Sequence, residues 1–282
     1  MNLFDVTINS MLRGQFEISE PTSFKEYAKL NYTGSYSTAP SISVDSLKKL
    51  PNNLTNNNTM VLRLGNPDNK GTLFSLVKAA NSIDDFFFND HRLFASLTPE
   101  LFLPNVSIRS LFAFQLLPKV TETSIVNLAL ASGLLAEALR IDTDKHVMIP
   151  ATGQSTFTFS FKPRADIETT LDHINGQVEI DAVFVGKRDG KEHLFIVEAK
   201  HGETFDSLAK HKLFYPLLSL LPKIPKAMPV VPVYLRTIKS AEHTGIDFYI
   251  AECPAILNNH DIIQSLDTLT PFKTHALHLA NY

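Results

Sequence analysis

Four residues in one short stretch have the types and spacing to do chemistry: Glu179, Asp181, Glu198 and Lys200. They lie in two apolar, β-branched runs, one ending at Val185 and the other beginning at His193, with Asp189-Gly190 between them. An Asp-Gly pair in that setting is a strong hairpin signal, because both central residues of the favoured two-residue turn take positive φ. With those two as the turn, Arg188 faces Lys191, Asp181 falls opposite Glu198, and Glu179 falls opposite Lys200. Side chains alternate along a strand, so Gln177, Glu179, Asp181 and Val183 share one face of the first strand, and Ile196, Glu198 and Lys200 share one face of the second. Three carboxylates and one ammonium then converge, and like charges roughly 5 Å apart repel unless something positive sits among them. Hard oxygen donors so arranged suit a divalent cation. A solvent-washed hairpin face would carry such charges too, but Leu194 to Val197 is apolar on both faces. That pattern suits a strand buried on both sides, with Glu198 and Lys200 emerging at its end.

An Asp followed by Glu-x-Lys at the end of an apolar strand resembles the PD-(D/E)XK nuclease superfamily. Gly153-Gln154-Ser155, Gln177 to Asp181, Val197-Glu198-Ala199-Lys200, His211 to Pro216 and Val233-Tyr234-Leu235 look like a restriction-endonuclease-like family of type II enzymes. Two positions depart from that family: Lys212 stands where such relatives commonly have Gln, and Gln154 where they commonly have Arg. The resemblance implies an α/β fold whose core is a central mixed β-sheet flanked by helices. It implies that Asp181, Glu198 and the Ala199 carbonyl hold Mg²⁺, or Mn²⁺ in its place. Lys200 would orient or help deprotonate the attacking water, desolvation lowering its pKa. Glu179, or Glu137 on the helix preceding the sheet, would supply a third acid. Lys210, His211, Lys212 and Tyr215 would lie beside the phosphate. Gln154 and Ser155 would do so too if their segment is more than an ordinary turn.

The implied activity is metal-dependent endonucleolytic hydrolysis of DNA phosphodiesters, with restriction as the role. A repair, recombination or other defence nuclease is the alternative within the same core, and a DNA-binding module with a vestigial acid cluster is the alternative outside it. Double-stranded DNA is the implied partner, with a companion DNA methyltransferase and, for double-strand cleavage, a second copy in a homodimer.

The elements that must position these residues are legible to different degrees. Thr123 to Arg140 has the clearest helical period, Ile125, Leu128, Ala129, Ser132, Leu135, Ala136 and Leu139 recurring on one face. Glu137 is the single charge among its apolar neighbours and needs a partner or a cation there, the alternative being a partly exposed Glu near a helix end that pairs with Arg140 or Lys145. Thr156 to Phe161 alternates as a half-buried antiparallel strand does. Glu203 to Tyr215 reads as a helix that Pro216 ends or kinks. Met60–Leu64, Thr72–Val77, Val231–Ile238 and Ile246–Glu252 read as strands, and 258–269 as a short helix. The chain is expected to divide into an N-terminal α+β region, 1–115, concerned with DNA recognition, and a nuclease core, 116–282.

With 282 residues and 44% hydrophobic content, the chain can bury a substantial core. One cysteine excludes an internal disulfide framework and fits a reducing compartment, and no run approaches the roughly 18 apolar residues of a membrane span. Absence of a basic-then-apolar leader makes the cytoplasm the expected location. The net charge of -3 does not advertise a polyanion binder. Lys and Arg nevertheless outnumber acids between Gln177 and Ser240, where the candidate residues lie. His275 and His278 have ligand-like spacing without a companion Cys, and are read as ordinary surface or core histidines.

Overall fold

The computed structural model describes residues 2–282 other than 68–70, 117–120, 144–147, 241–243 and 259–263. In it Asp189 (φ 52°) and Gly190 (φ 75°) make the tight turn that their types dictate. The hairpin runs in the register expected from that turn, from Arg188↔Lys191 to Ala182↔Val197.

The first part of the chain contains α1 (Asp5–Gly14), β1 (Thr22–Ser23), α2 (Phe24–Asn31), α3 (Thr38–Ile42), α4 (Asn52–Asn56), β2 (Thr59–Arg63) and β3 (Leu73–Lys78). Next come β4 (Phe87–Asn89), α5 (Asp90–Phe94), β5 (Glu100–Phe102), α6 (Phe112–Gln115), α7 (Glu122–Ala131) and α8 (Leu134–Ala138). The hairpin region follows as β6 (Ala151–Phe161), β7 (Leu171–Arg188) and β8 (Lys191–Gly202), then β9 (Ser207–Ala209) and α9 (His211–Leu220). The last strands are β10 (Val230–Lys239), β11 (Gly245–Glu252) and β12 (Lys273–Ala280).

Seven strands form a mixed sheet in the order β5-β12-β11-β10-β8-β7-β6, and the fold is α/β. β8 and β10 are parallel neighbours, which obliges the chain to cross over between them, and the crossover carries α9. Two cores cover the two faces. One contains Ile125, Leu128 and Leu135 of α7 and α8 with Phe184, Val197 and Val233 of the sheet. The other joins Leu213, Phe214 and Leu217 of α9 to Ile196, Tyr234 and residues of the first part of the chain, Phe4, Phe24 and Phe74 among them.

Residues before and after 115 therefore share one hydrophobic core, and β5, from the first part, pairs with β12 as an edge strand of the main sheet. The three-stranded sheet β1-β3-β2 is clipped onto the base of β7: Ile174 N–H donates to Leu64 O at 2.9 Å and Asn66 N–H to Ile174 O at 2.8 Å. Gly65 (φ 85°) makes this approach, since a Cβ there would collide with the Ile174 carbonyl.

The helices differ from the sequence reading in extent. The 123–140 helix is split into α7 and α8 at Ser132-Gly133, where Gly133 has φ 85° and the buried Ser132 Oγ accepts from Leu134 N–H at 3.4 Å. The apolar period continues across the break because both pieces face the same core. The residues from Glu203 do not begin a helix: β8 runs to Gly202, β9 intervenes, and α9 starts only at His211. Pro216 sits inside α9 without ending it, and the buried face of Leu213, Leu217 and Leu218 holds the helix together around the missing N–H. Of the helix expected over 258–269, residues 259–263 lie outside the described residues, and the described ones hold a 3₁₀ turn, Leu266–Thr268, after a bridge from Ser265 to Lys162.

Candidate active site

Asp181, Glu198 and Lys200 meet in a cleft with a cavity volume of about 80 Å³ between the β7–β8 edge, α9, the start of α7 and the end of β2. Glu198 and Lys200 alternate outward from β8 as its period requires. Asp181 arrives through an irregularity. Val178 and Ile180 of β7 pack into one core and Ala182 and Phe184 into the other, so the strand changes phase at Asp181. The β6 pairing slips there as well, between Ala151↔Val183 and Gly153↔Ile180. Asp181 Oδ2 accepts the Ala199 N–H at 2.9 Å, which fixes the carboxylate against β8.

The phase change separates Glu179 from Asp181. Glu179 lines the cleft but is exposed, and its cross-strand neighbour is Gln154 rather than Lys200. Lys200 is held by Glu122, the first residue of α7, whose Oε1 accepts from Lys200 Nζ at 2.9 Å; Glu198 Oε1 lies at 3.8 Å. Thr121 caps that helix, its Oγ accepting from Ser124 N–H at 3.2 Å, and an acid in the first turn suits the positive end of the helix dipole.

Glu137 is exposed on α8 and takes no part in lining the cleft. The acid that the preceding helix contributes is Glu122. Gln154 and Ser155 lie within β6, exposed and outside the cleft lining, rather than in a turn before it. Of the α9 group, His211, Lys212 and Tyr215 line the cleft. Lys210 points elsewhere, its Nζ 5.9 Å from the Phe88 ring centroid in a separate pocket with Asp85 and Asp267. Tyr215 is buried, and its hydroxyl donates to the Arg63 carbonyl at 3.1 Å. Arg63, Ser43 and His173, which the sequence reading did not single out, complete that wall.

Burial governs the electrostatics. Asp181 and Glu198 are 7% and 6% exposed. Desolvation raises both carboxyls above their ordinary range, and the Asp181 charge pushes Glu198 well up in addition. Burial pulls Lys200 down, but Glu198 and Glu122 outweigh it, and its pKa ends above the usual lysine value. The expected lowering of Lys200 by desolvation is therefore reversed by its two acids. His173 and His211 are pushed down to about 4 and about 3, chiefly by burial, and are neutral at physiological pH.

A carboxyl whose folded pKa is raised favours the folded state at low pH. That advantage is lost as pH rises from the unfolded value, about 4.3, through the folded one. Glu198→Gln removes the ionisable group. It should raise the melting temperature of the unliganded protein at about pH 8 and change it little at about pH 4. An equal shift at both pH values, or a drop at pH 8, would contradict a buried charge at this position.

The chain belongs to the family described as "Domain of unknown function (DUF6997)", whose model matches residues 91–253. That span includes Glu122, Asp181, Glu198 and Lys200, and leaves Arg63 outside. No curated protein and no solved structure matches the chain. Among the described residues no helix is long and apolar enough to cross a membrane.

Proposed function

We propose that this chain is a Mg²⁺-dependent endonuclease of the PD-(D/E)XK kind, acting in the cytoplasm on double-stranded DNA, with restriction as its role. The observation that carries the reading is the buried like-charged pair, Asp181 and Glu198, beside a lysine that a third acid, Glu122, holds in place.

Among the described residues no three His, Cys, Asp or Glu side chains cluster as a complete metal cage. Mg²⁺ ordinarily takes one or two protein carboxylates and fills its octahedron with water and substrate phosphate oxygens, so two acids suit it. Burial raises both Asp181 and Glu198, and the Asp181 charge raises Glu198 further, as befits donors whose ionised forms lack sufficient positive charge in the protein alone. Asp181, Glu198 and the Ala199 carbonyl would hold the ion, with Mn²⁺ as a substitute. Bound there, it supplies positive charge against the phosphoryl oxygens as negative charge builds on them.

The chain's own residues do the rest. The Ala199 N–H keeps Asp181 from rotating out of the cleft. Glu122 takes one of the three Lys200 N–H bonds, leaving two to hold the attacking water or a phosphoryl oxygen. Lys212 brings a second cation to the same cleft from α9. The nuclease reading carries with it a companion methyltransferase and a two-fold dimer for double-strand cuts.

The test is incubation of supercoiled plasmid with the protein. Cleavage is expected with Mg²⁺ or Mn²⁺ and not with Ca²⁺ or EDTA. Discrete fragments support restriction, and a smear supports a general nuclease. DNA binding with no cleavage under any divalent ion would leave a binding module and sink the enzyme.

A further inference from the structure

Arg63 is placed as a binding residue would be. It ends β2, its side chain lines the cleft, and it is partly buried. The other well-buried guanidiniums each face a carboxylate: Arg164 has Asp166 and Glu17, Arg188 has Glu252, and Arg236 has Asp90. Among the described residues Arg63 has none. Its Nη1 donates to Ser43 Oγ at 3.3 Å, and its Nε is buried without a partner.

A guanidinium taken out of water without an anion costs free energy, and burial accordingly lowers its pKa. Two further polar atoms in the same wall are also unsatisfied: the Nδ1 atoms of His173 and His211, whose side chains are 1% and 5% exposed. Both rings are neutral, so they add hydrogen-bonding capacity and no competing charge. The Gly65 clip fixes the hairpin to β7, so Arg63 is held at the cleft by backbone.

We propose that Arg63, together with Lys212 in the same cleft, holds phosphate, and that its ligand is the phosphodiester adjacent to the one cleaved. This rests on the nuclease reading for the source of the phosphate. A planar, permanently charged fork matches two phosphate oxygens, and both cations line the cleft that holds the Asp181–Glu198 pair. Arg63 reaches the cleft from the end of β2 and Lys212 from α9. The N-terminal sheet thereby contributes a substrate contact that lies outside the family match.

The experiment compares wild type with Arg63→Met, which keeps the stem and removes the charge, and Arg63→Lys, which keeps the charge and removes the fork. Melting temperatures are read without ligand and with inorganic pyrophosphate, and duplex DNA binding is read in Ca²⁺ across a salt series. Pyrophosphate should raise the wild-type melting temperature and leave Arg63→Met unmoved. That variant should melt at or above wild type when unliganded, because an uncompensated charge is gone. It should bind duplex about tenfold or more weakly, with the salt slope reduced by about one, and Arg63→Lys should recover part of the loss. An Arg63→Met protein with unchanged pyrophosphate shift and DNA affinity overturns the inference, and cleavage by wild type then leaves the nuclease reading standing. An unliganded Arg63→Met protein that melts well below wild type, with Arg63→Lys restoring it, also overturns the inference by making Arg63 a structural residue. A wild type that shows the pyrophosphate shift but neither binds nor cleaves DNA overturns the nuclease reading and this inference with it.

Discussion

Glu198→Gln is expected to lower single-turnover cleavage on the order of a thousandfold or more while leaving duplex binding within a few-fold of wild type. Metal-ion stabilisation of a phosphoryl transition state amounts to several kcal/mol, and each 1.4 kcal/mol is about tenfold in rate. The fold should survive, because Gln has the same shape and the buried carboxylate it replaces is already resisting ionisation. Asp181→Asn should behave alike, since the amide oxygen of Asn can still accept the Ala199 N–H. If both variants kept more than a few per cent of wild-type cleavage at saturating Mg²⁺, these two residues would not be the metal ligands.

Lys200→Arg should fail almost as badly as Lys200→Ala, each losing about a hundredfold or more, the range found on removing one preorganised donor from a site of developing charge. Lys200 Nζ stands 2.9 Å from Glu122 and 3.8 Å from Glu198, a space set for a compact ammonium. A guanidinium is planar, longer and prone to bidentate pairing, so the substituted side chain would be drawn to Glu122 and would present no equivalent point donor to the water. The raised pKa of Lys200 sharpens the comparison. If charge alone mattered, Arg would substitute well, and near-wild-type rates for Lys200→Arg would reduce Lys200 to an electrostatic spacer. Both variants need wild-type DNA affinity for the rates to be compared.

The hairpin was legible because its rules are local. The period of two, the Asp-Gly turn and the doubly apolar 194–197 run place Glu198 and Lys200 without knowledge of any other segment, and the observed register agrees from Arg188 to Ala182. Reading fails where the chain departs from that period. The slip at Asp181 has no distinctive residue to announce it, so Glu179 was assigned a face it does not share. Glu122 was missed for a different reason. An acid at the first position of a helix reads as a partner of the helix dipole, and only the docking of α7 onto the sheet turns it toward Lys200. Glu137 drew attention as a lone charge in an apolar helix, but the break at Gly133 leaves it facing solvent. The α/β class came with the resemblance, whereas the joining of the two parts across residue 115 rests on packing between segments distant in sequence, which no local pattern announces.

The pairing of β5 with β12 bears on the order in which the molecule is completed during synthesis. Leu101 meets His278, so an edge strand made early must wait for one made much later in the chain. At about 5–20 residues per second, that interval is on the order of ten to thirty seconds. Throughout it β5 has no partner strand to join, and in its last part, when the β7–β8 hairpin, α9 and β11 have been made, β11 presents an open edge. The carboxylates of the cleft are thus translated before the sheet that carries them is closed. A ribosome paused ahead of Lys273 would hold a chain with its chemistry present and one side of its scaffold still available to a wrong partner strand.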